Sequence, residues 1–490
     1  MNVNPILPGF YPDPTICRAG DGYYLAASTF EYFPGVPVFH STDLIHWEQI
    51  GNALDRPEQL RVLGGLAAAS TGVYAPTLRH REGKFWLVTT NVLEHAKGQL
   101  IVHSTDPAKG WSDPVYAPGA IGIDPDLAWD EDGTCHLTWA GAGGITQAAV
   151  DPETGELLSE PKSLWSGTGL AYPEAPHLYS RNGWWYLVIA EGGTERGHAV
   201  SVARSRSITG PFEPHPDNPI LSHRSTGHPV QNTGHADLVE LLDGSWAMVH
   251  LGVRPRGSTP MFHVNGRETF LAGVDWIDDW PAVNEDAFSV PATQTSFTDD
   301  FADPVLHPRW ISPGAVPGAF ARRHGRNGVT LAAGRAPDER EARRLLAVRA
   351  RDARWEAAAT VSSGDVALVV RIDDDHWAGV QRHGDVVTAR AVVGPFDQTF
   401  AAAHGIPEDR PLVIRSVDNA DMPSPHNGPD RLRLGYLADD GFQALADIDG
   451  RYISTEVASG FTGRVIGVEA LAVEAVLTTF TYTAIAEPTG

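Results

Sequence analysis

One pattern recurs five times in the first 290 residues, and it restricts what the chain can fold into. A polar or acidic cluster leads into an apolar-alternating strand, a short turn containing glycine, and an aromatic-rich strand. The copies are DPTICRAGDGYYLAAS from Asp13, APTLRHREGKFWLVTT from Ala75, DPDLAWDEDGTCHLTWA from Asp124, APHLYSRNGWWYLVIA from Ala175 and HADLVELLDGSWAMVHL from His235. The turn pairs are Asp21-Gly22, Glu82-Gly83, Asp132-Gly133, Asn182-Gly183 and Asp243-Gly244. Such pairs suit two-residue hairpin turns, whose central residues both take positive φ. The copies start about 50–60 residues apart, enough for a four-stranded blade, and five blades make a β-propeller.

The repeat stops near residue 290. VPATQTSFTDDF (290–301) is rich in Pro, Thr and Ser and reads as a linker. Beyond it, VALVVRI (366–372), WAGVQRH (377–383) and RLRLGYL (431–437) alternate as the strands of a β-sandwich do. DNADMPSPHNGPD (418–430) reads as a long surface loop. The expected architecture is all-β: a five-bladed propeller over 1–289 and a sandwich of the jelly-roll kind over 290–490. With 50 glycines, 37 prolines and 14 tryptophans, the composition fits short strands and tight turns.

The formal net charge of −24 argues against nucleic acid or an anionic membrane as a partner, since both require a basic face. A neutral ligand fits better. Two cysteines, Cys17 and Cys135, do not indicate a disulfide framework. The N-terminus lacks the basic start and apolar core of a secretory signal, and no run of 18 apolar residues occurs. The expectation is a cytoplasmic protein.

The first strand of each blade lines a propeller's central channel, so residues at the strand starts converge at one end of it. Here these are Asp13, Tyr74, Asp124, Glu174 and His235. Singly, an Asp before a strand is usually a turn residue, and Asp13 and Asp124 both precede proline. Three carboxylates from three blades in one small space have a chemical use, however. Glycoside hydrolysis needs one carboxylic acid to protonate the leaving oxygen and one carboxylate to activate water or attack directly. A third can raise the pKa of the acid by like-charge repulsion. His235 is either a buried, hydrogen-bonded histidine or one ligand of a hard cation such as calcium, completed by water.

These segments resemble glycoside hydrolase family 43. NPILPGFYPDPTICRAGDGYYLAASTFEYFPGVPVFHSTDLIHWEQIG is similar to the start of its β-xylosidases and arabinofuranosidases. GIDPDLAWDEDG, EAPHLYSRNGWWYLVIAEGGT, TGHADLVE and GRETFLAGVDW follow in the family's order. The resemblance covers nearly the whole chain and implies a concanavalin-like C-terminal domain. It implies an inverting enzyme with Asp13 as general base, Glu174 as general acid, and Asp124 tuning and orienting Glu174. The two reacting carboxyls should then stand roughly 6.5–9.5 Å apart. It also implies that Arg267 hydrogen-bonds the sugar, that Phe30 walls its pocket, and that Phe461, on a loop of the second domain, closes the mouth. No organic cofactor is implied.

Similar β-xylosidases often carry tryptophan where this chain has Tyr74, which leaves the choice between β-D-xylose and α-L-arabinofuranose open. The substrate expected is a neutral xylo-oligosaccharide or arabinoxylan fragment, cleaved from its end. An endo-arabinanase and a non-catalytic sugar-binding propeller are the alternatives, and the sandwich offers surface for a homo-oligomer.

Overall fold

A computed structural model describes residues 3–66, 68–334, 343–419 and 427–486. Five antiparallel four-stranded sheets occupy the first part of the chain. Their innermost strands are Thr15–Ala19, Val73–Arg81, Ile123–Trp129, Glu174–Arg181 and Gln231–Glu240. Each packs against the next, and the fifth packs against the first, so the ring closes. These are the five blades.

Strand alternation explains the packing. Successive side chains point to opposite faces, so each blade feeds two apolar seams. Leu87 of the second blade joins Cys17 and Val38 of the first, while its neighbours Trp86 and Val88 join Leu127 and Leu137 of the third. Ala128 and Ile145 meet Leu178 and Leu187 between the third and fourth blades; Tyr186 and Val200 meet Leu238 and Met248 between the fourth and fifth. Ile16 and Leu25 meet Val249 and Leu271 where the ring closes. The N-terminal segment adds to that closure, with Leu7 pairing to Thr269 on the fifth blade.

The inner strands themselves are joined by polar side chains. Asp237 accepts from Thr15 Oγ1 (2.7 Å) and the Ile16 amide (2.9 Å) of the first blade, and from Tyr179 of the fourth. Arg79 of the second blade reaches Asp237 of the fifth and Asp126 of the third, both at 2.8 Å. Asp126 in turn accepts from the Leu178 amide of the fourth at 2.9 Å. This belt ties every blade to another across the channel.

The hairpins are less uniform than the Asx-Gly pairs suggest. Glu82-Gly83 and Asn182-Gly183 do take positive φ at both positions, in two-residue turns. In the first blade Ala19 pairs with Gly22, so the turn is Gly20-Asp21, one residue earlier than expected, with positive φ at Gly20. In the third and fifth blades the strands part at Trp129/Cys135 and Glu240/Trp246. Five-residue turns result, with only Gly133 and Gly244 left-handed. Nearby side chains set the longer turns: Asp130 accepts from the Thr134 amide and Asp243 from the Ser245 amide.

The last propeller strand is Trp280–Asn284, and Phe297–Asp299 begins a sandwich of two sheets, one of eight strands and one of six. Between them the chain is packed down: Val290 sits in the seam of the first and fifth blades, and Thr295 donates to Asp352 at 2.6 Å. The sandwich strands Val366–Arg371, His376–His383 and Arg431–Ala438 cover the three alternating runs. Residues 420–426 of the expected surface loop lie outside the described residues. Propeller and sandwich share a core in which Phe10 and Tyr32 pack with Ile311, Ala347, Val369 and Trp377. Within it the buried Glu31 pairs with Arg371 at 3.0 Å. Among the described residues no helix is long and apolar enough to cross a membrane.

Candidate active site

At one end of the channel the inner strands depart from regular pairing. Register shifts occur between Val73 and Pro76, Ile123 and Asp126, Glu174 and His177, and Gln231 and Asp237. Bulges of this kind re-aim side chains. Asp13, Asp124, Ala175 and His235, at matching places in four blades, all take positive φ between 46° and 56°. A non-glycine residue there costs about 1–3 kcal/mol and persists only where its surroundings hold it. The outcome is that Asp13, Phe30, Tyr74, Asp124, Glu174, His235, Arg267 and Phe461 all line one small pocket of about 80 Å³. Every site residue expected from the sequence is in it.

Asp13 is buried and well bonded. Its Oδ2 accepts from Ser28 Oγ at 2.5 Å and its Oδ1 from Arg267 at 2.8 Å. Burial works to raise its pKa, but the Arg267 guanidinium above all, helped by the Ser28 hydroxyl, holds the carboxyl below its ordinary 3.8. Asp13 is therefore a carboxylate at neutral pH.

Glu174 is the opposite case. Burial, then the negative charge of Asp13, push its pKa up to about 7 against a weaker pull from Arg267. The buried His198 stands 3.8 Å from Glu174 Oε1 through Nε2, while its Nδ1 lies 3.1 Å from the Asn232 carbonyl. Burial lowers the His198 pKa to about 4, so its ring is neutral and adds no positive charge to favour ionised Glu174. Gly234 makes this placement possible, since a Cβ there would stand 2.3 Å from the His198 ring.

Asp124 accepts from the Ala175 amide at 3.2 Å and so grips the backbone next to Glu174. Its own pKa is raised strongly by burial, then by Glu174 and Asp13. Asp124 and Glu174 thus raise each other's pKa within one buried group, and the charge of Asp13 pushes both the same way.

The wall opposite is aromatic. Phe30 and Tyr74 meet edge to face at 5.4 Å, and Phe461 lies 5.8 Å from Phe30. Phe461 belongs to the sandwich. Its amide donates to Ser70 Oγ of the propeller at 2.8 Å, and the Tyr74 hydroxyl donates to the Ser70 carbonyl at 3.1 Å. The approach is close because Gly463 lies over Gly266: a Cβ on Gly266 (φ +77°) would come within 2.9 Å of Gly463. Arg267 also donates to Thr194 at 3.0 Å. Ser28, Thr194, His198 and Ser70 were not singled out from sequence; nothing local marks them, since their partners are distant in the chain. Beyond Tyr74, Thr194, Arg267 and Phe461 the pocket opens into an antechamber of about 810 Å³ between the two domains.

His235 faces the pocket with Nδ1 3.6 Å from Asp13, and burial lowers its pKa to about 3, so it is neutral. As a ligand for a hard cation it has that one carboxylate beside it, already committed to Arg267 and Ser28. A calcium ion there would draw the rest of its shell from water. Among the described residues the group that gathers three donor atoms lies elsewhere, at His223, His228 and Glu285.

Fold and site together define a propeller-plus-sandwich protein with an acid–base pocket at the domain junction. Residues 3–281 match the glycosyl hydrolases family 43, and 298–482 match the β-xylosidase C-terminal concanavalin A-like domain. The chain belongs to glycosyl hydrolase family 43. It is 47% identical over 298 residues to a xylosidase/arabinosidase of Butyrivibrio fibrisolvens (57% of this chain, 56% of the relative). It is 46% identical over 286 residues to a non-reducing end α-L-arabinofuranosidase of Bacteroides ovatus (58% and 53%). The chain thus spans about half the length of these curated relatives. A solved structure, the xyloglucan-locus family 43 protein B of Bacteroides ovatus, superposes with a TM-score of 0.87 at 32% identity, over 98% of this chain and 99% of that one.

Proposed function

We propose that this protein is an inverting, exo-acting glycosidase that releases single terminal pentoses, β-D-xylose or α-L-arabinofuranose, from xylo-oligosaccharides or arabinoxylan fragments. One observation carries the reading. A carboxyl held ionised (Asp13) and a carboxyl whose pKa is raised to about 7 (Glu174) line the same small pocket, whose Tyr74, Thr194, Arg267 and Phe461 also line the antechamber. A pocket this small admits one sugar ring, which favours cleavage at chain ends over cutting within chains. The names of the relatives, xylosidase/arabinosidase and arabinofuranosidase, support both sugars as candidates.

In this mechanism Asp13 takes a proton from water, which attacks the anomeric carbon. Glu174 gives its proton to the departing oxygen in the same step. Arg267 hydrogen-bonds the ring hydroxyls and keeps Asp13 charged. Asp124 acts as a positioning residue through the Ala175 amide. Phe30, Tyr74 and Phe461 form the apolar wall against a sugar face.

The test is release of p-nitrophenol from the β-D-xylopyranoside and the α-L-arabinofuranoside, with product configuration followed by NMR. Wild type should turn over at least one substrate with inversion. Glu174→Ala and Asp13→Ala should each lose about 10²–10⁴-fold in rate. The ratio of the two substrates reports what Tyr74 selects. A product of retained configuration would overturn the single-step mechanism, and absence of turnover on both would favour the endo-arabinanase or sugar-binding alternatives.

A further inference from the structure

The loop that enters the fifth blade carries a second cluster of chemistry-bearing side chains, away from the carboxylate pocket. His223 and His228 lie between Glu213–Pro214 and Gln231–Glu240, and Glu285 directly follows the outermost strand of the fifth blade, Trp280–Asn284. One donor atom from each of the three lies within 4.8 Å of the other two. The imidazole rings are 3.9 Å apart, tilted by 39°.

The ring nitrogens are arranged as ligands. His223 Nδ1 donates to the Val230 carbonyl at 2.8 Å, which leaves Nε2 turned to Glu285. His228 Nδ1 has both the Val230 carbonyl and the Val230 amide at 3.1 Å, so its tautomer with a bare Nε2 also keeps a partner. His223 is 93% buried, yet its Nε2 makes no hydrogen bond. Glu285 Oε1 stands 2.9 Å from that nitrogen. With metal–ligand bonds of about 2.0–2.2 Å, the 2.9 Å between His223 Nε2 and Glu285 Oε1 corresponds to roughly 90° at a shared ion. The loop is braced in this form: Thr226 Oγ1 donates to the His223 carbonyl at 2.7 Å and accepts from the His228 amide at 3.2 Å.

We propose that His223, His228 and Glu285 bind a divalent transition cation of the zinc type at the edge of the fifth blade. Two imidazoles and one carboxylate suit zinc, with water completing a four-coordinate shell, better than calcium or magnesium, which take oxygen donors. The ion clips the entering loop to the end of the blade. That loop continues into Gln231 and Asn232, which line the antechamber, and the Gln231 side chain donates to the His228 carbonyl at 2.8 Å. The site therefore braces one wall of the antechamber.

The full chain, stripped with a chelator, is titrated with ZnCl₂ and its bound zinc and melting temperature are measured. His228→Asn and Glu285→Gln are read in parallel, both residues being partly exposed so that the fold survives the change. Wild type should retain about one zinc per chain after desalting and melt higher with it. Either variant should bind at least about tenfold more weakly. Failure of wild type to retain zinc, binding by both variants as tight as wild type's, or an equal melting rise with Ca²⁺ or Mg²⁺ would overturn the site. The readouts are metal content and melting, so they do not depend on the proposed glycosidase activity.

Discussion

Two buried charge clusters sit on the same inner strands, a few residues apart, and behave in opposite ways. At the mouth, Asp13, Asp124 and Glu174 share one guanidinium, Arg267. Deeper in the channel, Asp126 and Asp237 share Arg79, with Thr15, Tyr179 and two backbone amides filling remaining positions. Burial disfavours charge in both. In the deep cluster Arg79, His177 and the hydrogen bonds overcome it, and Asp237 is held well below its ordinary pKa. At the mouth there is cation enough for Asp13 alone, so Asp124 and Glu174 are pushed up. Burial by itself does not make a reactive carboxyl. The count of carboxylates against cations does.

The largest effect expected from breaking this contrast is in the deep cluster. Arg79→Met would strand two buried carboxylates and should destabilise the fold by about 3–5 kcal/mol in denaturant unfolding. A loss under 1 kcal/mol would mean that the belt does not hold the ring.

The mouth should respond with the other sign. Folded Glu174 has a pKa of about 7 against an ordinary 4.5. The folded state then holds the proton more tightly, and stability falls as pH rises from the lower value through the higher. Glu174→Gln removes that penalty. It should stabilise the protein above pH 7 by on the order of 3 kcal/mol while abolishing turnover. Equal melting of the two forms at pH 8 would refute the raised pKa.

Activity should follow the same logic. The proposed mechanism uses Asp13 ionised and Glu174 protonated, so the rate should hold from below pH 4 and fall as pH rises through about 7. Asp124→Asn should slow the enzyme by releasing the Ala175 amide, and the position of its alkaline limb reports whether Asp124 also tunes Glu174. A limb displaced to lower pH would give Asp124 the charge-tuning role that the family resemblance implies, and an unmoved limb would leave it the positioning role alone. The smallest effect belongs to the domain junction. Ser70→Ala removes the hydrogen bond to the Phe461 amide, worth roughly 1 kcal/mol, and should raise KM about fivefold with kcat little changed.

The legible part of this molecule was what near neighbours encode. Alternating apolar residues and turn glycines marked the strands that became blade interiors, such as Tyr186, Leu187 and Val188. The repeat register placed Asp13, Tyr74, Asp124, Glu174 and His235 at one end of the channel, and the motif match added Phe30, Arg267 and Phe461. What lay beyond reading joins residues far apart in the chain. Arg267 donates to Asp13 across 254 positions, and Thr15 to Asp237 across 222. The same is true of Ser70 and Phe461, and of Glu285 and the two histidines near it. Local sequence determines strand, turn and face because each depends on a few consecutive residues. Which carboxylate keeps its charge depends on the cations that ring closure and domain docking bring beside it, and only the tertiary structure decides that.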